Sequence, residues 1–504
     1  MLSSNASRNG AYLKLYLFSH HQYKTSLSFH QRCKLINFVI IMLIVFLLIN
    51  PLSKTGSSRF GESGKGTFHH FSTMSIAKVF AEADKASKEV AELTSGLVKF
   101  NSAHPEGRTD EIVPYIAEYL DRYGIEHEVH ATDLKKPNIV AKLPGKSNHK
   151  ILWVGHIDVV PEGKPDAWEY PAYQGIIKSG IVHGRGSSDM KGSDAAALVS
   201  ARILSKMRLP HPVEFWFTSD EEIGGGAGAK WLAESGRFKG DVCIIGDGNG
   251  GGAENPSIDL GCKGGAQTRL IAKGKTAHGS TPFLGDNAIT KLIKVIPEVY
   301  KIGNFKLTLP EDLNKPIRDS VKFYLGEANT PELKKAVRHL FNYPTVTCNI
   351  INGGVKINVV PDYAEAEFDI RLTPGASVSA VKREIEKIVK ATGVPGVEIA
   401  AGTEEHAKGS GKLSDQAGFY ESPDTVFAKQ LSKTIKKATG KRPGMKILTG
   451  GTDGISTSKI AGIPSLGYGT SISGVAHQPN EYITVENLVL GIRIYGAFPY
   501  FYKP

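Results

Sequence analysis

The sequence predicts an α/β protein: a mostly parallel sheet with helices on both faces, carrying a smaller inserted α+β domain. Three observations predict it. Apolar strand-like runs alternate with amphipathic helical stretches from about residue 75, the pattern of βαβ units. A histidine and several carboxylates stand where three of those runs end, and in such sheets ligands bind beyond the carboxyl ends of the strands. Near Gly264 the texture changes, and after about residue 403 the first pattern returns.

Size and composition set the outer bounds. A chain of 504 residues is long enough for two or three domains with a proper core. The net charge of +11 is uneven: residues 1–74 hold eight Lys/Arg against one acid, Glu62, leaving only +4 for the remainder. No basic stripe is interleaved with aromatics, so nucleic-acid binding is not expected. Cys33, Cys243, Cys262 and Cys348 have neither a zinc-ribbon spacing nor that of a disulfide framework.

The elements follow in order. Residues 1–74 read as an N-terminal extension with an apolar stretch at 35–52 and a Ser/Gly-rich linker at 50–73. Basic residues without an acid precede the apolar stretch, which predicts a signal anchor with its N-terminus in the cytoplasm. The competing expectation is a cytoplasmic protein whose working chain starts at Met74. Residues 75–263 form the first part of the main domain. Helices are expected at 77–98, 111–123 and 193–207, and strands at 151–160, 213–218 and 242–246. Residues 264–402 form the inserted domain, with strands at 266–272, 365–372 and 397–401 and helices at 286–301 and 378–390. Together these suggest two βαβ-like halves. Residues 403–504 complete the main domain, with a helix near 425–438.

The chemistry concentrates in three stretches, GHIDVVPEG (155–163), GRGSSDMKG (184–192) and TSDEEIGG (218–225). His156 and Asp158 are two apart on a strand and leave it on the same face. Asp158 is thereby placed to orient the imidazole of His156 if the latter binds a metal. Asp189 precedes a helix, where Asp is also favoured simply as a cap; as a ligand it would bridge two cations. Glu221 and Glu222 are adjacent carboxylates at a strand end, which repel unless cations or a proton compensate them. A natural division gives Glu222 a metal and Glu221 a proton to move. Asp247 ends the strand at 242–246 and offers an oxygen ligand. His477 is a candidate second imidazole. His278 requires the inserted domain to fold over the site, and Arg371 is a candidate clamp for a substrate carboxylate. The G-x-S-x-G elbow of serine hydrolases is absent.

At these residues the chain resembles the metallopeptidase/deacylase family of acetylornithine deacetylase, succinyl-diaminopimelate desuccinylase and carboxypeptidase G. The likeness runs from about residue 80 to the C-terminus through eight ordered motifs: GHIDVVP, GRGSSDMKG, SDEEIGG, IIGDG, GKTAHGSTPFLGDNAI, NVVPDYAEAEFDIRL, GGTDG and AHQPNEYI. The resemblance implies a zinc-dependent amidohydrolase with two divalent metal ions, Zn2+ first and Co2+ or Mn2+ as alternatives. His156 and Asp247 would bind one metal and Glu222 and His477 the other, with Asp189 bridging both. Asp158 would orient His156, and Glu221 would be the general base. His278 would reach the site across a homodimer interface formed by the lid. Arg371, Asn358, Gly451 and Thr452 would hold the substrate carboxylate. The implied substrate is an N-acyl amino acid. One departure keeps a dipeptidase or carboxypeptidase as the runner-up: Asp247-Gly248 stands where the deacylase branch commonly has Glu-Pro, and dipeptidase branches are similar in using Asp. A hypothesis of another class is a catalytically inactive, membrane-tethered binding protein.

Overall fold

The structure is a computed structural model that describes residues 64–400 and 415–504. The expected apolar stretch at 35–52 lies outside the described residues. Among the described residues no helix is long and apolar enough to cross a membrane. The first described helix, Gly64–Lys85, begins within the expected linker and runs into the expected helix, where Val79 and Ala83 are fully buried in the main core.

A nine-stranded sheet forms the main domain. Its centre is parallel: Val213–Thr218, Ile151–His156, Val242–Ile245 and Ser465–Gly467 lie side by side in that order. Antiparallel strands flank it, with Asn138–Leu143 and Glu126–His130 on one side and Ser257–Cys262 on the other. The alternation of side chains along each strand divides the core in two. Ile151, Trp153, Phe215 and Phe217 point into the larger cluster, which is covered by helices Ser87–Val98, Ile112–Arg122, Lys191–Ser205, Val426–Thr439 and Val485–Phe501. Leu152, Val154, Trp216 and Cys243 point to the other face, where Ala229–Glu234 packs. Strands buried on both faces carry unbroken apolar runs for this reason, and each such buried side chain contributes about 1.5–3 kcal/mol.

Trp153 also positions the strand ends. A Cβ on Gly155 would lie 2.6 Å from its ring, and one on Gly246 would lie 2.1 Å from it. Only glycine fits at these two places, each directly before a candidate ligand, His156 or Asp247. Register places His156 opposite Thr218 and Val154 opposite Ile245, so two strands end level and the third stops two residues earlier at the same edge.

The inserted domain is a six-stranded sheet in the order Val397–Ile399, Thr268–Lys273, Tyr363–Leu372, Gly264–Ala266 and Asp415–Gln416, with Thr345–Gly353 also paired to Tyr363–Leu372. Every pairing in it is antiparallel, so the expected βαβ-like halves are joined without a parallel pair. Helices Ala288–Val299 and Val378–Ala391 cover one face. Between them the chain makes an excursion that was not expected. Helix Asn314–Glu327 leaves the inserted domain, and its Ile317, with Leu313 before it and Phe341 after it, packs onto Ile447, on a strand, Gly444–Leu448, of the large sheet.

Candidate metal centre and cleft

His156 ends a central strand, Glu221 and Glu222 open a short turn after Val213–Thr218, and Asp247 lies two residues beyond Val242–Ile245. Asp189 sits in the loop before helix Lys191–Ser205, and His477 arrives from a loop far along the chain with a left-handed φ of 62°. The structure gathers all six. Asp189 stands between the two imidazoles: its Oδ1 is 3.3 Å from His156 Nε2 and its Oδ2 is 3.1 Å from His477 Nε2. His477 Nε2 is also 3.2 Å from Glu222 Oε2. Ligand-type atoms of His156, Asp189 and Glu222 lie within 4.8 Å of one another, as do those of His156, Glu221 and Asp247.

The electrostatics show what this arrangement demands. Burial, then the charges around them, push the carboxyls of Glu221 and Asp247 well above the usual range. Burial and then Asp189 raise Glu222. Burial would also raise Asp189, but its bonds to both imidazoles outweigh that and hold it low. Bonds to Asp189 and Glu222 push His477 up to about 11. Four carboxylates therefore share two imidazoles, one of them buried (His156) and the other half-exposed (His477). Glu222 Oε1 is buried there without a hydrogen-bond partner. Imidazole nitrogens and carboxylate oxygens suit divalent cations, and added positive charge relieves the repulsion that raises Glu221 and Asp247. The residues present thus fit a pair of such ions.

Asp158 departs from the expected geometry. His156 Nδ1 is 3.0 Å from the Asp158 backbone carbonyl and 3.7 Å from its carboxylate. A carbonyl can only accept, so Nδ1 carries a proton, and Nε2, which faces Asp189, is the nitrogen whose lone pair a cation would use. The Asp158 carboxylate instead accepts the Glu221 and Glu222 N–H groups, both at 3.1 Å, and lies 2.8 Å from His104 Nε2. Asp158 therefore fixes the imidazole with its main chain and the two-glutamate turn with its side chain. Beneath the site, Asp194 is fully buried with neither carboxylate oxygen hydrogen-bonded, and burial pushes Lys191 down to about 8.

A cleft of about 650 Å3 opens beside these groups, and Arg371, Gly451 and Thr452 line it along with Asp189, Glu222 and His477. Arg371 Nε is bonded to both oxygens of Asp369, at 2.9 and 3.0 Å, leaving its two terminal nitrogens for other partners. Lys263 lines the same wall; its Nζ donates to the Leu340 carbonyl at 2.6 Å, and burial followed by Arg371 pushes it down to about 8. His278 and Asn358 are absent from the lining. They sit together on the inserted domain, where the Gly279 N–H donates to the Asn358 carbonyl at 2.8 Å and both residues are exposed. A single chain does not bring them to the cleft.

Sequence reasoning missed several groups. Arg185 and Glu481 lie inside motifs already singled out, GRGSSDMKG and AHQPNEYI, and their pairing was the available signal. Lys191 also lies in GRGSSDMKG, whereas His104, Asp194 and Lys263 belong to no pattern that spacing reveals.

Comparisons with known proteins show what the chain is similar to. The model of peptidase family M20/M25/M40 matches residues 152–500. A probable succinyl-diaminopimelate desuccinylase of Staphylococcus aureus is 28% identical over 357 residues, 69% of this chain and 84% of the relative. An uncharacterized metallohydrolase of Methanocaldococcus jannaschii is 28% identical over 436 residues, 80% of this chain and 96% of the relative. Among solved structures, the dipeptidase Dug1p of Saccharomyces cerevisiae superimposes with a TM-score of 0.70 at 17% identity, covering 84% of this chain and 98% of its own. An M20 family metallo-carboxypeptidase from Sulfolobus solfataricus gives 0.67 at 22% identity, covering 82% and 98%. At these identities the structures speak for the fold.

Proposed function

The chain belongs to peptidase family M20/M25/M40, and from that premise we propose that this metallohydrolase cleaves the amide bond of an N-acyl amino acid using two divalent cations, Zn2+ first among them. The observation that carries the reading is Asp189, which offers one oxygen toward each imidazole. His156 and Asp247 would hold one ion, Glu222 and His477 the other, and Asp189 both. Bound there, the ions would supply Lewis-acid polarisation of the scissile carbonyl and acidify water towards a pKa of about 7.

The protein's own groups do the rest. Glu221, held by its backbone N–H and raised by burial, takes a proton from the attacking water and delivers it to the departing amine. Arg371, with Gly451 and Thr452, holds the substrate carboxylate and so orients the amide. The exposure of His278 and Asn358, beside the exposed Phe283, Val355 and Ile357 (79%, 91% and 102%), supports a homodimer in which the partner's His278 and the partner's Asn358 complete the cleft. Such an apolar patch marks an association surface.

A dipeptidase or carboxypeptidase is the second reading, favoured by Asp at position 247. Metal-loaded protein offered N-acetylornithine, N-succinyl-diaminopimelate and a panel of dipeptides tests both. Turnover of the acyl amino acids is expected. Turnover of dipeptides alone overturns the deacylase reading, and no turnover of either favours a binding protein. Membrane association through residues 35–52 is part of the same proposal. Full-length protein is expected in the membrane fraction and a chain starting at Met74 in the soluble one.

A further inference from the structure

Arg185 and Glu481 lie 296 positions apart, yet they form an ion pair in which each residue is 1% exposed. Glu481 uses its two oxygens differently. Oε2 takes the guanidinium, while Oε1 accepts the N–H groups of Ser188 and Asp189, each at 2.9 Å. The main chain adds a further tie, with the Gly184 N–H donating to the Glu481 carbonyl at 2.9 Å. The guanidinium reaches two more segments: Nη1 donates to the Gln478 carbonyl and Nη2 to the Pro161 carbonyl, both at 3.3 Å. The face of Trp168 lies 5.2 Å away.

Three loops meet at this pair, and each carries a group of the site. Pro161 follows His156 and Asp158, Ser188 precedes Asp189, and Gln478 follows His477. A buried ion pair is weak support for stability, because desolvation offsets most of the attraction. Its geometric effect is larger. Removing it frees the Asp189 backbone and the His477 loop at once, and the left-handed conformation of His477 then has less to hold it.

We propose that Arg185 and Glu481 are positioning residues that fix Asp189 and His477 relative to one another and so set the affinity for the second cation. This rests on the two-cation reading given above. Neither residue is a ligand; both act through the backbone that presents the ligands.

The test uses full-length protein stripped by a chelator, then titrated with Zn2+ against a competing chelator, with melting of the metal-free state measured in parallel. The variants are Arg185→Met, Glu481→Met and the double substitution. Each single change leaves a lone buried charge, so it lowers the melting temperature and weakens the second Zn2+ site by about 10–100-fold. The double variant removes both charges. It regains most of the melting temperature while its second site stays weakened by about 10-fold or more, a split that a merely structural role does not produce. A double variant that binds its second Zn2+ as tightly as the parent overturns the inference. So does one that fails to fold, because the pair would then hold the fold rather than the ligands. If the parent itself binds no Zn2+, it is the two-cation reading that falls.

Discussion

Asp158 holds Glu221 through the main chain: its Oδ1 accepts the Glu221 N–H at 3.1 Å while its Oδ2 takes the Glu222 N–H and His104. Three donors converge on one fully buried carboxylate. The turn that carries the proposed proton carrier is therefore only as well placed as Asp158. Asp158→Ala is expected to lower kcat by about 10–100-fold with little change in KM. His104→Gln should act in the same direction and less strongly. Steady-state kinetics on both variants, with metal content measured alongside, checks this; an unchanged kcat for Asp158→Ala removes the link.

Glu221→Gln separates proton transfer from metal binding. The substitution keeps the size of the side chain and removes its proton affinity, so kcat should fall by about 10²–10⁴-fold. Metal stoichiometry should stay at the parent value. Hydrolysis at the parent rate would leave the mechanism without its base.

Removing the metal should make stability depend on pH in a defined direction. The raised carboxyls of Glu221 and Asp247 and the raised imidazoles of His156 and His477 all bind protons in the folded state that the unfolded chain releases. Stability from such groups is present at low pH and is lost as pH rises through the folded values. The opposite contribution of Asp189, held low, is complete well below this range. Metal-free protein should therefore melt progressively lower as pH rises from the ordinary imidazole range towards the folded value of His477, about 11, and Zn2+ should restore most at the alkaline end. Equal gaps between metal-free and loaded melting curves across that range would contradict it.

Two inactive chains should rescue one another if His278 acts across a dimer interface. Co-expressed His278→Ala and Glu221→Ala chains pair at random. One site in each mixed dimer then has its own Glu221 and the partner's His278, restoring about a quarter of the parent sites. Activity of the co-expressed pair no higher than that of the two variants assayed apart excludes the arrangement.

Much of the fold is legible in the sequence because burial on both faces writes itself as continuous apolar runs. Residues 151–154 and 242–245 show this, and 213–217 show it apart from Glu214; the chemistry collects at their ends. His156, Asp189, Glu222, Asp247 and His477 converge as their types suggested. What was illegible has a physical cause in each case. Helix Pro331–His339 buries no residue, so its apolar stripe of Leu333, Ala336 and Val337 did not mark it as part of a core. The excursion that packs Leu313 and Phe341 onto Ile447 depends on a contact more than one hundred positions away. Asp158 was expected to turn its carboxylate to His156, but a carbonyl two residues along the strand already satisfies that ring, and the freed oxygens meet the N–H groups of Glu221 and Glu222. Spacing alone does not say which of two acceptors on one residue a ring will choose.

Strand Ser465–Gly467 sits inside the large sheet, between Val242–Ile245 and Ser257–Cys262. While the chain leaves the ribosome, its two neighbours are therefore made some two hundred residues before the strand that joins them. The lid has every partner it needs in hand by then and is free to mature early, whereas the catalytic half waits with an open seam. A chain halted before residue 465 should consequently show a protease-resistant lid and a digestible remainder, and the pocket that gathers His156 with His477 cannot form until both strand and loop have emerged.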